Sequence, residues 1–259
     1  MKAFAPGSVT AVFAPAESGD ESMGASFAIE DGVVADVRPA DEPAVAVDGE
    51  PTDFEPVELA LDALDVAAAV DLASSVPIGC GFGASGAATL ATALAANEAF
   101  DLGRTREELV AVAHRAEVAA GTGLGDVFVQ EMGGLVVGDG RDRWRVGTDA
   151  PIEYDSFGGI ATEEMLGDDE LMARIERAGT RTLDALPADP SFSELTRAAW
   201  SFAEATGLPT PAVREAVASV ENAGGLASMA MVGETVFAVG VEGTLPDRTR
   251  ICPDGASLR

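Results

Sequence analysis

Gly79, Gly81, Gly83 and Gly86 stand within eight residues of one another, in the stretch Pro77-Ile78-Gly79-Cys80-Gly81-Phe82-Gly83-Ala84-Ser85-Gly86-Ala87-Ala88, which leads straight into an alanine-dense helical pattern. Residues without side chains let a backbone approach an anion, and the free N–H groups and positive dipole end of a following helix stabilise negative charge there. The stretch has the chemistry of a phosphate loop, set against the plainer alternative of a glycine turn that lets a helix pack closely. A Walker A loop ends in G-K-[S/T], and Lys2 is the only lysine of the chain, so that form is excluded. Gly81-Phe82-Gly83-Ala84-Ser85-Gly86 also spells the dinucleotide fingerprint G-x-G-x-x-G, and Asp101 falls about 20 residues beyond it. Asp101, however, lies between two helical patterns in Phe100-Asp101-Leu102-Gly103, where the second parallel strand of a dinucleotide fold is missing.

A second constellation follows in His114-Arg115-Ala116-Glu117-Val118-Ala119-Ala120-Gly121-Thr122-Gly123-Leu124-Gly125-Asp126-Val127, where two carboxylates flank a glycine loop. Mg²⁺ takes hard oxygen ligands, commonly one or two carboxylates with phosphate oxygens and water, and phosphoryl transfer needs a group that accepts the attacking hydroxyl's proton. Glu117 and Asp126 are candidates for these two tasks. The alternatives are a solvated glutamate on a helix and an aspartate that caps a turn or a helix. His114 is the single histidine of the chain, on an amphipathic helix without a nearby G-x-S-x-G, and reads as structural.

The glycine stretch resembles the second motif of the GHMP kinases, P-x-x-x-G-L-x-S-S-A, with Pro77, Gly81 and Ser85 in register. Phe82 stands in place of the leucine, and Ala84 and Gly86 in place of the first serine and the alanine. The resemblance implies that Pro77, Gly79, Gly81, Phe82, Gly83, Ala84, Ser85 and Gly86 bind ATP and that Ser85 and Glu117 hold Mg²⁺. It further implies that Asp126 is the catalytic group at the acceptor hydroxyl. Ala5-Pro6-Gly7-Ser8 resembles the first motif, with Ser8 where several members carry a lysine, and Ala223 to Gly233 resembles the glycine-rich third motif while reading equally well as a buried strand. Within the superfamily the layout over nearly the whole chain is similar to the archaeal pantoate kinases. That likeness implies phosphorylation of pantoate to 4-phosphopantoate on the way to coenzyme A, with Ser22, Gly24 and Arg141 as substrate-binding residues and a homodimer as the assembly. The same loop and carboxylates fit a shikimate or homoserine kinase, or a nucleotide-binding sensor that turns nothing over.

The elements that must position these residues are legible in part. Residues 2 to 57 read as short strands broken by turns, at Phe4–Phe13, Ser22–Glu30, Gly32–Arg38 and Ala44–Asp48. Val57, Leu61, Leu64, Ala68 and Leu72 recur at helical spacing and predict a helix over 57–72, stopped by Ser74-Ser75-Val76-Pro77. Further helices are expected over 84–100, from a Thr105-Arg106-Glu107-Glu108 capping box to about Ala120, and over 162–186, 191–206 and 211–222. A hairpin is expected from Gly134–Val137 and Arg143–Val146, and two closing strands from Leu226–Val232 and Thr235–Val241. Strands and helices mixed without strict βαβ alternation predict an α+β fold. The resemblance makes it two-lobed, with an ATP-binding lobe over 1–155 that holds a left-handed β-α-β unit and a ferredoxin-like lobe over 156–259.

Composition narrows the partners. Of 259 residues 44 are acidic and 16 basic, for a net charge of −28, yet 47% are hydrophobic, so the acidity coats a folded body rather than a disordered chain. Self-repulsion of this size is largely screened at a Debye length of about 3 Å in 1 M salt, which points to a salt-adapted protein of a halophile. Nucleic acid and anionic membrane are disfavoured, since Arg141, Arg143 and Arg145 form the densest basic cluster. Cys80 and Cys252 lack metal-ligand spacing and read as free thiols, and neither a signal-peptide pattern nor an 18-residue apolar run occurs, so a cytoplasmic location is expected.

Overall fold

Strand β1 (Lys2–Pro15) and strand β2 (Ser22–Pro39) pair antiparallel along their lengths and form the spine of the molecule. This is a computed structural model and describes residues 1–15, 22–123, 125–159, 167–231 and 233–259. Leu124 of the carboxylate loop, Val232 of the third glycine motif and the first part of the helix expected over 162–186 lie outside the described residues. The Glu30-Asp31-Gly32 turn chemistry, expected to separate two strands, is instead carried within β2, opposite a register shift between Pro6 and Gly7 of β1. The sheet continues through β3 (Ala44–Val47), β4 (Glu50–Pro51) and β5 (Ala68–Ser74), while β6 (Leu135–Gly138) and β7 (Arg143–Val146) form the expected hairpin on the first half of β2. β3 and β5 run parallel, with β4 and helix α1 (Glu55–Ala63) between them in sequence.

The helix expected over 57–72 is therefore a correction. It ends at Ala63, Asp65 turns the chain with φ +57°, and residues 68–74 enter the sheet between β2 and β3. Ala68, Val70 and Leu72 satisfy a two-residue period as well as a helical one, and interior strand position decides between them.

Helix α2 (Ala84–Ala99) is buried on nearly every side because its residues are small, and it lies against β1 and β2 with α1 and α3 (Arg106–Ala120) around it. The Thr105 capping box forms as the sequence predicts: Thr105 accepts from the Glu108 backbone N–H, and the Glu108 carboxylate accepts from the Thr105 N–H at 2.8 Å. Helix α4 (Asp126–Met132) was not foreseen. It is one short element held from its C-terminal side: Ala256 N–H donates to the Gln130 carbonyl at 2.8 Å, and Arg106 makes a bidentate pair with Glu131, 2.7 Å on each arm.

A second, four-stranded antiparallel sheet has the order β11 (Asp247–Arg250), β8 (Pro151–Gly159), β10 (Gly233–Val239), β9 (Leu226–Ala230). β8 and β11 were not expected from the sequence. Helices α5 (Asp169–Ala185), α6 (Phe192–Thr206) and α7 (Pro211–Asn222) complete this half, α5 beginning at Asp169 behind its Asp168 cap. The expected boundary at 155/156 falls inside β8, and the last strand, β12 (Ser257–Leu258), returns to pair with β1. One core joins the two sheets, with Phe27 of β2 meeting Phe192 of α6 and Phe237 of β10 edge-on at 4.8 and 5.1 Å. The architecture is mixed α+β, and among the described residues no helix is long and apolar enough to cross a membrane.

Candidate active site

The glycine loop joins β5 to α2 and is pressed from one side by the second sheet. Gly233 at the start of β10 packs backbone to backbone against it: a Cβ at Gly233 would stand 2.2 Å from the Cys80 carbonyl oxygen. Thr235 fixes the same carbonyl by donating from Oγ1 at 2.7 Å. The segment that resembled a third glycine motif thus reaches the loop through Gly233.

Gly83 is the N-cap of α2, with φ +60°, and an added Cβ there would lie 2.2 Å from Ser8 Oγ. Ser8, on β1, is buried: its backbone N–H donates to the Phe82 carbonyl at 2.8 Å, and its hydroxyl donates to Asp126 Oδ1 at 3.1 Å. Thr10 Oγ1 donates to the same Oδ1 at 3.4 Å and accepts from Ser26 Oγ at 3.3 Å. Asp126 opens α4, partly exposed to the cleft, with Oδ1 occupied by two hydroxyls and Oδ2 toward Gly123.

Glu117, on the last turn of α3 and 2% exposed, accepts from three hydroxyls. Ser85 Oγ and Thr89 Oγ1 of α2 reach Oε1 at 2.9 and 2.7 Å, and Thr122 Oγ1 reaches Oε2 at 2.8 Å. Gly123 marks where the two carboxylates converge, since a Cβ on it would be 3.4 Å from Glu117 Oε2 and 3.6 Å from Asp126 Oδ2. Among the described residues the hydrogen-bond partners of both carboxylates are hydroxyls, with no guanidinium or ammonium group among them.

Burial pushes the Glu117 carboxyl above its ordinary value, the three hydroxyls pull it back in part, and the nearby Asp126 charge raises it further. Burial likewise raises Asp126, opposed by Ser8 and Thr10. Two acids held close together, both disfavoured as anions, with hard oxygens converging beside a phosphate-type loop, suit a divalent cation whose other ligands are phosphate oxygens and water.

The loop glycines, Thr10, Ser85, Thr122, Gly123 and Asp126 face one cleft of about 770 Å³. Residues 55–134, which carry both the loop and the carboxylates, match the family model described as the GHMP kinases N terminal domain. That segment carries the likeness to the GHMP kinases. The chain is 28% identical to a pantoate kinase of Methanocaldococcus jannaschii over 263 residues, covering 96% of each chain. It is 34% identical to a homoserine kinase of Haloarcula marismortui over 105 residues, 40% of this chain and 36% of that one. A solved structure described as a phosphotransferase related to the CoA biosynthesis pathway superposes over all of this chain and 98% of its own, with a TM-score of 0.86 and 26% identity.

Of the residues the sequence singled out, Gly79, Gly81, Gly83, Ala84, Ser85, Gly86, Asp126, Ser22 and Gly24 line the cleft, and Glu117 stands behind Ser85. Pro77, Phe82 and Arg141 are not among the described residues that line it. Phe82 turns inward against Tyr154, ring centres 5.0 Å apart, so that only its carbonyl serves the site, and Pro77 is exposed beside the loop. Arg141 sits in the β6–β7 turn, where its backbone N–H bonds Asp139, and Arg143 enters the cleft in its stead, its guanidinium 3.7 Å from the centre of the Phe128 ring. Ser8, Thr10, Thr89, Thr122, Gln130 and Arg143 were not assigned to the site from the sequence. Thr89 was reachable, because it lies four residues past Ser85 on a helix that was correctly anticipated.

Proposed function

We propose that this chain is a GHMP kinase that transfers the γ-phosphoryl group of ATP to the primary hydroxyl of pantoate, yielding ADP and 4-phosphopantoate on the route to coenzyme A. The observation that carries the reading is one cleft lined by the glycine loop, by Asp126 and by Arg143. Arg143 is the sole Lys, Arg or His side chain among the described residues that line it. An acceptor with a hydroxyl at one end and a carboxylate at the other suits a cleft lined by both a base and a cation. Full-length likeness to pantoate kinases supports the same acceptor.

In this reading the acceptor oxygen attacks the γ-phosphorus, the bond from that phosphorus to the β-phosphate oxygen breaks, and the hydroxyl proton passes to Asp126 Oδ2. Ser8 and Thr10 keep Oδ1 occupied, which leaves the other oxygen for the acceptor. The loop amides and the first turn of α2 hold the phosphates against the helix N-terminus. Ser85 Oγ and Glu117 are the groups that would hold Mg²⁺, which would supply positive charge to offset the negative charge of the phosphate oxygens. Arg143, stiffened by its stack on Phe128, pairs with the pantoate carboxylate in the role that the sequence pattern assigned to Arg141. The acidic surface, net charge −28, fits work in a cytoplasm of high salt.

Arg143→Ala is expected to raise KM for pantoate by about 10- to 100-fold, the loss of one charge-assisted pair, while KM for ATP stays within about twofold. Pantoate methyl ester, which lacks the charge, is expected to serve the wild type and the variant equally poorly. Steady-state kinetics with each acceptor checks this, and equal increases in both KM values would remove Arg143 from the acceptor end.

A further inference from the structure

Gln130 lies one helical turn past Asp126 on α4, and its side chain is wholly buried beneath the loop. Its Nε2 donates to the Gly83 carbonyl at 2.6 Å and to Ser8 Oγ at 3.2 Å. The orientation of this amide is not free. A carbonyl oxygen only accepts, so the nitrogen must face Gly83, and the same nitrogen then faces Ser8. Ser8 Oγ accepts a hydrogen bond from Gln130, so its own O–H is the donor to Asp126 Oδ1. The remaining atom, Gln130 Oε1, is buried without a hydrogen-bond partner and sits 2.9 Å from where a Cβ of Gly86 would be. A leucine or methionine would fill this volume without leaving a buried acceptor unpaired. The two N–H bonds are thus what the amide contributes here.

Resting on the kinase reading above, we propose that Gln130 is a positioning residue which orients the Ser8 hydroxyl toward Asp126 Oδ1 and couples that carboxylate to the N-cap of the phosphate-loop helix. The geometry has a direction: Gln130 N–H to Ser8, Ser8 O–H to Asp126, leaving Oδ2 toward the cleft. Movement of the loop at Gly83 is transmitted to the base through one amide, because the same nitrogen holds both. Ser8 occupies the position where related motifs carry a lysine, so in this chain a neutral hydroxyl with a fixed proton stands beside the base.

The test is a double-mutant cycle on the full chain, with wild-type turnover of ATP and pantoate measured first under the same conditions. Gln130→Met keeps the volume and removes the donor. It is expected to lower kcat by about tenfold or more while both KM values stay within about twofold. In Ser8→Ala the hydroxyl that Gln130 orients is absent, so Gln130→Met added to Ser8→Ala is expected to cost kcat less than about twofold further. Gln130→Leu, also donor-less, is expected to match Gln130→Met and covers the case in which the first variant folds poorly, with circular dichroism melts establishing the folded state. If the wild type turns pantoate over and Gln130→Met keeps its kcat, or if the two substitutions reduce kcat independently, the positioning role is wrong. If the wild type fails to turn pantoate over, the acceptor assignment falls, not the Gln130 coupling, which is then read with whichever acceptor supports turnover.

Discussion

Asp126→Asn is expected to lower kcat by about 10²- to 10⁴-fold, the range associated with a positioned proton acceptor, with KM values little changed. An asparagine oxygen can still accept from Ser8 and Thr10, so the local hydrogen bonds survive and the proton acceptor does not. The same substitution is expected to stabilise the metal-free protein. Burial raises the folded-state pKa of Asp126 above its unfolded value, so the folded state holds the proton more tightly. Such a group favours folding at pH values below its unfolded pKa, and that contribution is lost as pH rises through the folded pKa. At neutral pH the carboxylate is therefore a burden that the amide removes, and a gain of about 1 kcal/mol would raise Tm by about 2–4 °C. By the same sign, the acid limb of wild-type kcat/KM should lie above the ordinary aspartate range. Loss of activity together with loss of Tm would mean that Asp126 is a structural cap.

Gly83→Ala is expected to abolish most turnover and to destabilise the fold. Alanine at φ +60° costs about 1–2 kcal/mol by itself. Its Cβ would also fall 2.2 Å from Ser8 Oγ and 2.8 Å from Gln130 Nε2, so both side chains must leave their places. Ser8 then no longer meets Asp126, and Gln130 no longer meets the Gly83 carbonyl. A total cost of about 2–4 kcal/mol corresponds to a Tm lower by about 5–15 °C. Gly79→Ala is the control, because φ is +77° there but nothing lies within 4 Å of the added Cβ. It should carry the backbone strain alone and keep Ser8, Gln130 and Asp126 in register. Equal losses of kcat in the two variants would show that loop stiffness, rather than the contact with Ser8, sets the rate.

How far the site could be read in advance depended on whether its parts are local in sequence. Helices α2 and α3, with the Thr105 capping box, and the β6–β7 hairpin carry signals within a few residues, and they form where expected. Ser85, Glu117 and Asp126 were identifiable as oxygen donors next to glycines. The convergence of the two carboxylates on Gly123, with Ser85 bonded to Glu117, comes from the packing of α2, α3 and α4, which no local pattern encodes. Ser8 meets Asp126 across 118 residues and Gln130 across 122, and a serine on a strand or a glutamine on a helix has no chemistry until it is placed. The stop of α1 at Ala63 was missed because the apolar run beyond it serves either period. Arg141 and Arg143 differ only in whether the chain has left the turn and entered β7, a matter of two residues at an element boundary.

The account turns on phosphoryl transfer from ATP to pantoate, and it is tested most directly by acceptor-dependent ADP release from the wild-type chain in molar KCl with Mg²⁺, comparing pantoate with homoserine, shikimate and mevalonate and following the product by phosphorus NMR. The account predicts stoichiometric ADP and 4-phosphopantoate with pantoate and background rates with the other three acceptors. Preferential phosphorylation of homoserine, or ATP binding with no transfer to any acceptor, would contradict it.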